Sequence, residues 1–225
     1  MPTTLELCCG TKSFTKVARE RGYTHNITID IDPRFSPTIC IDILEWDYRQ
    51  YAGTRFDLIW CSPPCTMYSN ARTTGAPPDL VTADNIVQRC LDIIHFFQPT
   101  YWYIENPASS LLKTREVMQP YNHQSYIVDY CQYGNAERRK RTRIWTNVAG
   151  FTPRRCPRDW TRCPAMIPNT NKHKGTCTGN YWDKQRWKSK KDRAIDTGQV
   201  PAQLIRELLL HASAQTATHR VDPHV

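Results

Sequence analysis

The sequence has no run of about 18 consecutive apolar residues, so neither a membrane-spanning helix nor a membrane partner is expected. Near Met1 it has no basic stretch followed by an apolar one, so no secretory signal is expected and the chain is placed inside the cell. Its ten cysteines are then read in a reducing compartment, as ligands, nucleophiles or core residues and not as disulfides. There is no internal repeat, which sets solenoids aside. Charged residues are 23%, too few for wholesale disorder, and apolar residues are 40%, enough for a core. With 225 residues the chain suits one α/β domain with a small insertion.

The net charge is +9, and it is concentrated. Residues 134–193 hold 17 Lys/Arg against 4 Asp/Glu, while the remainder is slightly acidic. A basic segment on an acidic body suits a polyanion, most simply nucleic acid. Trp160, Tyr181, Trp182 and Trp187 interleave the charges and are able to stack or wedge.

Periodicity predicts strands at 3–9, 26–30, 38–42, 57–61, 101–105, 125–131 and 142–147. Helices are predicted at 14–21, capped by Ser13 and stopped by Gly22, at 80–97, and at 201–211. This alternation implies an α/β fold: a doubly wound, Rossmann-like sheet with a site at the strand C-terminal ends. The expected organisation is a catalytic and cofactor-binding domain at 1–147 and a loop-rich basic lobe at 148–193. A helix at 194–213 returns to the domain, and 214–225 form a flexible tail.

The predicted strand ends carry chemistry. The turn in LELCCGTKS has one glycine, with Lys12 where a pyrophosphate cradle wants another, so a ligand with a carboxylate near the helix start fits better. Asp30 suits ribose hydroxyls, and Asp42 suits an amino group of an adenine. In Cys61-Ser62-Pro63-Pro64-Cys65-Thr66 two prolines stiffen the loop and hold the Cys65 thiol beyond the sheet, as a nucleophile requires. In Ile104-Glu105-Asn106-Pro107 a poorly solvated carboxyl suits proton donation to a ring nitrogen, and Asn106 is placed to shape the loop. Arg139, Lys140, Arg141 and Arg143 then lead into an apolar strand.

The ordered series LELCCGTKSFT, DIDPRF, IDILEWD, SPPCTMYS, YIENP and RRKRTRIW resembles the cytosine-5 DNA methyltransferase family, in particular its compact members from phages and large DNA viruses. The resemblance covers residues 3–147 and, more weakly, 198–210, where GQVP is similar to the family's final motif. It implies a Rossmann-like methyltransferase sheet, S-adenosylmethionine as cofactor and double-stranded DNA as substrate. The cytosine leaves the stack, Cys65 adds to its carbon 6, and Glu105 engages N3. It assigns Leu7, Cys8, Gly10, Ser13, Phe14, Asp30, Ile31, Asp42, Ile43 and Pro64 to the cofactor, and Cys65, Glu105, Asn106, Arg141 and Arg143 to catalysis. A gapless alignment from Tyr133-Gly134 selects Arg139 and Arg141 as the paired arginines. Cys8, Lys12, Pro107 and Gln199 depart from the family's usual residues. A monomer without an obligate protein partner is expected, in the cytoplasm or, for a viral chain, a host nucleus. The rivals are a tRNA cytosine-5 methyltransferase, an amino-methyltransferase independent of Cys65, and a non-catalytic nucleic-acid-binding module.

The lobe at 148–193 stands where that family keeps its target-recognition domain. A lobe this small buries little core and wants a staple. Cys156, Cys163, His173 and Cys177 supply four zinc-capable ligands with a finger-like His-x3-Cys end, and a structural zinc is expected there. The rival is a lobe ordered by its tryptophans. A target of two to four base pairs is expected.

Overall fold

The computed structural model describes residues 2–69, 77–134, 138–176 and 198–219. Strands β1 (Thr3–Leu7), β2 (His25–Asp30), β3 (Ile39–Cys40), β4 (Leu58–Cys61), β5 (Tyr101–Pro107), β6 (Ser125–Asp129) and β8 (Arg141–Thr146) form one sheet. Its order is β3-β2-β1-β4-β5-β8-β6. The first five strands are parallel, and β8 lies antiparallel between β5 and β6. The short strands β7 (Arg138–Arg139) and β9 (Gly175–Thr176) pair separately.

Strand periodicity divides the core between the two faces. Leu5, Leu7, Ile59, Cys61 and Ile104 pack against Ala83, Val87, Cys90, Leu91 and Ile94 of helix α2 (Leu80–Phe97). The alternate residues Leu58, Trp60, Tyr103 and Ile144 meet helices α1 (Ser13–Glu20) and α3 (Ala202–His219). Phe14 of α1 stacks on Trp60 with ring centroids 5.3 Å apart. On α2 the helical repeat of apolar residues becomes a buried stripe. Asp79 caps its start by accepting from Thr82 N–H at 3.0 Å, and Gln98 ends it in a left-handed conformation ahead of Pro99.

Strands β1, β3 and β6 are shorter than expected, and two helix ends differ. Ser13 is not the cap of α1: Lys12 is, at φ 56° and ψ 41°, and it contributes no side-chain cap. Helix α3 runs to His219, so part of the expected tail is helical. The sequence HASAQTATH contains no glycine or proline to stop it. Among the described residues, no helix is long and apolar enough to cross a membrane.

Candidate active site

The strand order reverses between β1 and β4, where a doubly wound sheet opens a crevice beyond its strand ends. A cavity of about 470 Å³ lies there, within the range of small-molecule sites. Its walls combine the turn after β1, Asp30 at the end of β2, the Ser62–Thr66 loop after β4, Glu105 and Asn106 at the end of β5, and Lys140 ahead of β8. Val200, from the GQVP segment, closes one side.

The turn after β1 is tight. Cys8, Gly10 and Lys12 all have positive φ, two of them without glycine's freedom. Asp30 fixes the turn by accepting from Gly10 N–H at 2.8 Å, and it also accepts from Asp32 N–H at 2.9 Å. A carboxylate has further lone pairs, so Asp30 can still accept ribose hydroxyls. Next to it Ile31 is 65% exposed, an apolar side chain in want of a cover. The neighbouring Cys90 thiol, then burial, push the Cys8 thiol well above its ordinary value, so Cys8 offers a neutral wall and not a second nucleophile.

The start of α1 is not open to a ligand carboxylate. Glu6 occupies it, accepting from Phe14 N–H at 3.3 Å and Thr15 N–H at 3.0 Å. Burial pushes the Glu6 carboxyl up to about 7, and these N–H bonds offset only part of that. Glu6 is not among the site residues expected from the sequence. Its signal was a carboxylate in an apolar strand, two residues before the expected Cys8 wall.

Cys65 sits half-buried after Pro63 and Pro64. The loop is held from β5, because the Asn106 side-chain N–H donates to the Pro63 carbonyl at 3.0 Å. The amide oxygen of Asn106 is buried without a partner at the cavity wall. Glu105 is 5% exposed but well partnered. Tyr130 Oη donates to its Oε1 at 2.9 Å, and Lys140 Nζ lies 3.2 Å from the same atom. Lys140 is itself buried.

The structure does not bring Arg141 and Arg143 to this cavity. Glu105 pairs with Ile144 across the β5–β8 ladder, so Thr142 and Lys140 share its face while Arg141 and Arg143 take the other. Arg141 binds the fully buried Asp129 through Nε at 3.0 Å and Nη2 at 3.2 Å. Arg139, the choice of the gapless alignment, approaches the same carboxylate at 3.4 Å. Arg143 donates to Ser125 Oγ at 2.7 Å and lies over the Trp145 ring. Lys140 is the cation that reaches the acid, and the β5–β8 register, which sequence alone does not fix, decides it.

The remaining expected cofactor residues separate. Cys8, Gly10, Ser13, Asp30 and Pro64 line the cavity. Leu7, Phe14 and Ile43 are buried in the core and support the walls from behind. Asp42 does not line the cavity. Its carboxylate accepts from Leu44 N–H at 2.9 Å and stabilises the turn after β3.

A second cluster lies where the 148–176 segment meets the sheet. Cys131, Cys156, Cys163 and His173 bring one ligand atom each within 4.8 Å of one another. Cys177, expected in this set, lies outside the described residues. Cys131, two residues beyond β6, was missed because it falls outside the lobe in sequence.

The family model for C-5 cytosine-specific DNA methylase matches residues 3–207. A probable DNA (cytosine-5)-methyltransferase of Frog virus 3 (isolate Goorha) is 33% identical over 178 residues, covering 73% of this chain and 79% of that protein. Among solved structures, the Entamoeba histolytica methyltransferase EhMeth is similar in fold, with TM-score 0.50 at 17% identity over 68% of this chain and 55% of that one. The S. pombe Dnmt2 methyltransferase matches with TM-score 0.46 at 14% identity, over 68% and 53%. The chain thus spans about half the length of these solved structures.

Proposed function

The chain belongs to the C-5 cytosine-specific DNA methylase family, and we propose that it transfers a methyl group from S-adenosylmethionine to carbon 5 of cytosine in duplex DNA. One observation carries the reading: Cys65, on its proline-stiffened loop, shares one cavity with Glu105 and Asp30. A nucleophile, an acid and a ribose-binding carboxylate thus face the same space.

The residues present fit the cofactor. Asp30 would take the ribose hydroxyls and exposed Ile31 would lie against the adenine. The Cys8–Gly10 turn and Pro64 would form walls, and the unpartnered Asn106 oxygen offers one acceptor more. When bound, S-adenosylmethionine supplies an electrophilic methyl group. Everything else is work for the chain.

A cytosine must leave the stack to enter the cavity. Cys65, as thiolate, adds to carbon 6 and pushes electron density onto carbon 5. Glu105 meets N3, where negative charge would otherwise accumulate. Lys140 and Tyr130 hold the Glu105 carboxyl in place. After transfer, loss of the carbon 5 proton reforms the double bond and expels Cys65.

Affinity for DNA is assigned to the basic segment at 148–193. In its described part Arg155, Arg158, Arg162 and Lys172 are exposed, and Trp160 is 43% exposed among them. Such residues hold phosphates and set the register on the duplex. The test is bisulfite sequencing of a plasmid from cells expressing wild type or Cys65→Ser. Protected cytosines in one short context, lost in the variant, are expected. Unprotected DNA with soluble wild-type protein, or protection that survives in the variant, would refute the reading.

A further inference from the structure

We infer that Cys131, Cys156, Cys163 and His173 form a structural zinc site that pins the basic segment to the catalytic sheet. The distances have the scale of a tetrahedral site. Zinc–sulfur bonds of about 2.3 Å and zinc–nitrogen bonds of about 2.0–2.1 Å place sulfur about 3.5 Å from nitrogen across a tetrahedral edge. His173 Nε2 lies 3.2 Å from Cys156 Sγ and 3.6 Å from Cys163 Sγ, and all four ligand atoms lie within 4.8 Å of one another. The thiols form no disulfide, and all three are buried.

The local fold builds the site. Residues 165–174 form a hairpin: Lys174 N–H donates to Ala165 O at 2.8 Å, Ile167 N–H donates to Lys172 O at 2.9 Å, and Met166 bridges His173. That hairpin carries the imidazole back over Cys163. Among the described residues, only Ala165 and Met166 join the three thiols in this buried cluster, too little apolar area to order residues 156–174 by burial alone. A four-ligand ion supplies the missing order.

The fourth ligand gives the site its consequence. Cys131 belongs to the sheet side of the junction, immediately after Tyr130, whose hydroxyl holds Glu105. The same junction is tied by Asp129, which accepts from Cys156 N–H at 2.9 Å, and by Asp129 N–H, which donates to Arg154 O at 3.1 Å. Zinc there would fix the segment against the turn after β6 that carries the acid's hydrogen-bond donor. The assignment is independent of the methyl-transfer reading, because its readout is metal content.

The experiment is elemental analysis of the full chain, purified without a histidine tag from zinc-replete cells. Wild type, Cys65→Ser and Cys177→Ser are expected to hold about one zinc per chain, and Cys131→Ser below about 0.2. Wild type below about 0.2 overturns the site. Zinc retained by Cys131→Ser and lost by Cys177→Ser overturns this ligand set. Should Cys131→Ser fail to accumulate, cobalt titration of zinc-free wild type and Cys177→Ser decides. Intense thiolate charge-transfer and tetrahedral visible bands in both support the assignment. The weak absorption of a six-coordinate ion, or bands lost in Cys177→Ser, overturns it.

Discussion

Glu6 makes the stability of this fold depend on pH in an unusual direction. Its carboxyl is buried at the cavity wall and raised by that burial from 4.5 to about 7. The folded chain therefore holds a proton that the unfolded chain releases at lower pH. Between those values the folded state binds more protons, so stability falls as pH rises. The contribution is fully present below about 4.5 and is lost by the time pH has passed about 7. At about 1.4 kcal/mol per pH unit, the loss between pH 5 and 8 is about 2–3 kcal/mol. Glu6→Gln isolates the effect. The carboxamide offers one oxygen to the two N–H donors of Phe14 and Thr15, a loss of about 1 kcal/mol at any pH. The variant is therefore expected to match wild type near pH 5 and to exceed it by about 2 kcal/mol at pH 8. Urea unfolding of both proteins at pH 5, 6, 7 and 8 measures the difference. A difference that stays constant across that range would refute the reasoning, because it would mean that Glu6 does not change protonation on folding.

Lys140→Met is expected to lower kcat for methyl transfer by about 10- to 100-fold with little change in KM for cofactor, the worth of one charge-assisted bond to Glu105. Arg143→Ala, which removes a side chain on the opposite face, should stay within about threefold of wild type in initial-rate assays. Tyr130→Phe deletes one hydrogen bond to Glu105 and is expected to slow transfer about fivefold while leaving metal content unchanged. Asp30→Ala is expected to weaken S-adenosylmethionine binding by about 10- to 100-fold in calorimetry, and a change under twofold would count against its ribose role.

The architecture was legible because burial on both faces leaves a strong signal. Leu58–Cys61 is apolar throughout, as a central parallel strand must be, and the stripe on Leu80–Phe97 marked that helix from end to end. The strand-end loops were legible too, since prolines around Cys65 and the acid after Ile104 break the apolar pattern where the strands stop. Facing was harder. The arginines before Ile144 occupy alternate positions, and sequence alone does not say which set looks toward Glu105. A shift of one residue exchanges Arg141 and Arg143 for Lys140. Cys131 was hidden for a different reason. Its partners are 25, 32 and 42 residues away in sequence, and only the fold brings that strand end beneath the hairpin at 165–174. Asp42 follows from position in the strand-end series, and the fold sets it outside the cavity, where one of its oxygens accepts from Leu44 N–H.

Asp129 at the end of β6 and the next two residues, in the 3-10 turn that follows, reach three different systems. Asp129 gathers Arg141 and the backbone of Cys156, Tyr130 turns to Glu105, and Cys131 enters the thiol cluster. The antiparallel β8 makes this possible, because its insertion between β5 and β6 brings Lys140, just ahead of β8, and Tyr130, just after β6, over the acid. The acid is therefore positioned by the same strand end that anchors the basic segment. A change in how that segment sits, on metal loss or on binding a polyanion, has a path of only two residues to Tyr130. The Cys65 loop is held from β5, by Asn106. The nucleophile is set by the parallel half of the sheet and the acid is steadied by the antiparallel half. Disturbing the segment should therefore reach the acid through Tyr130.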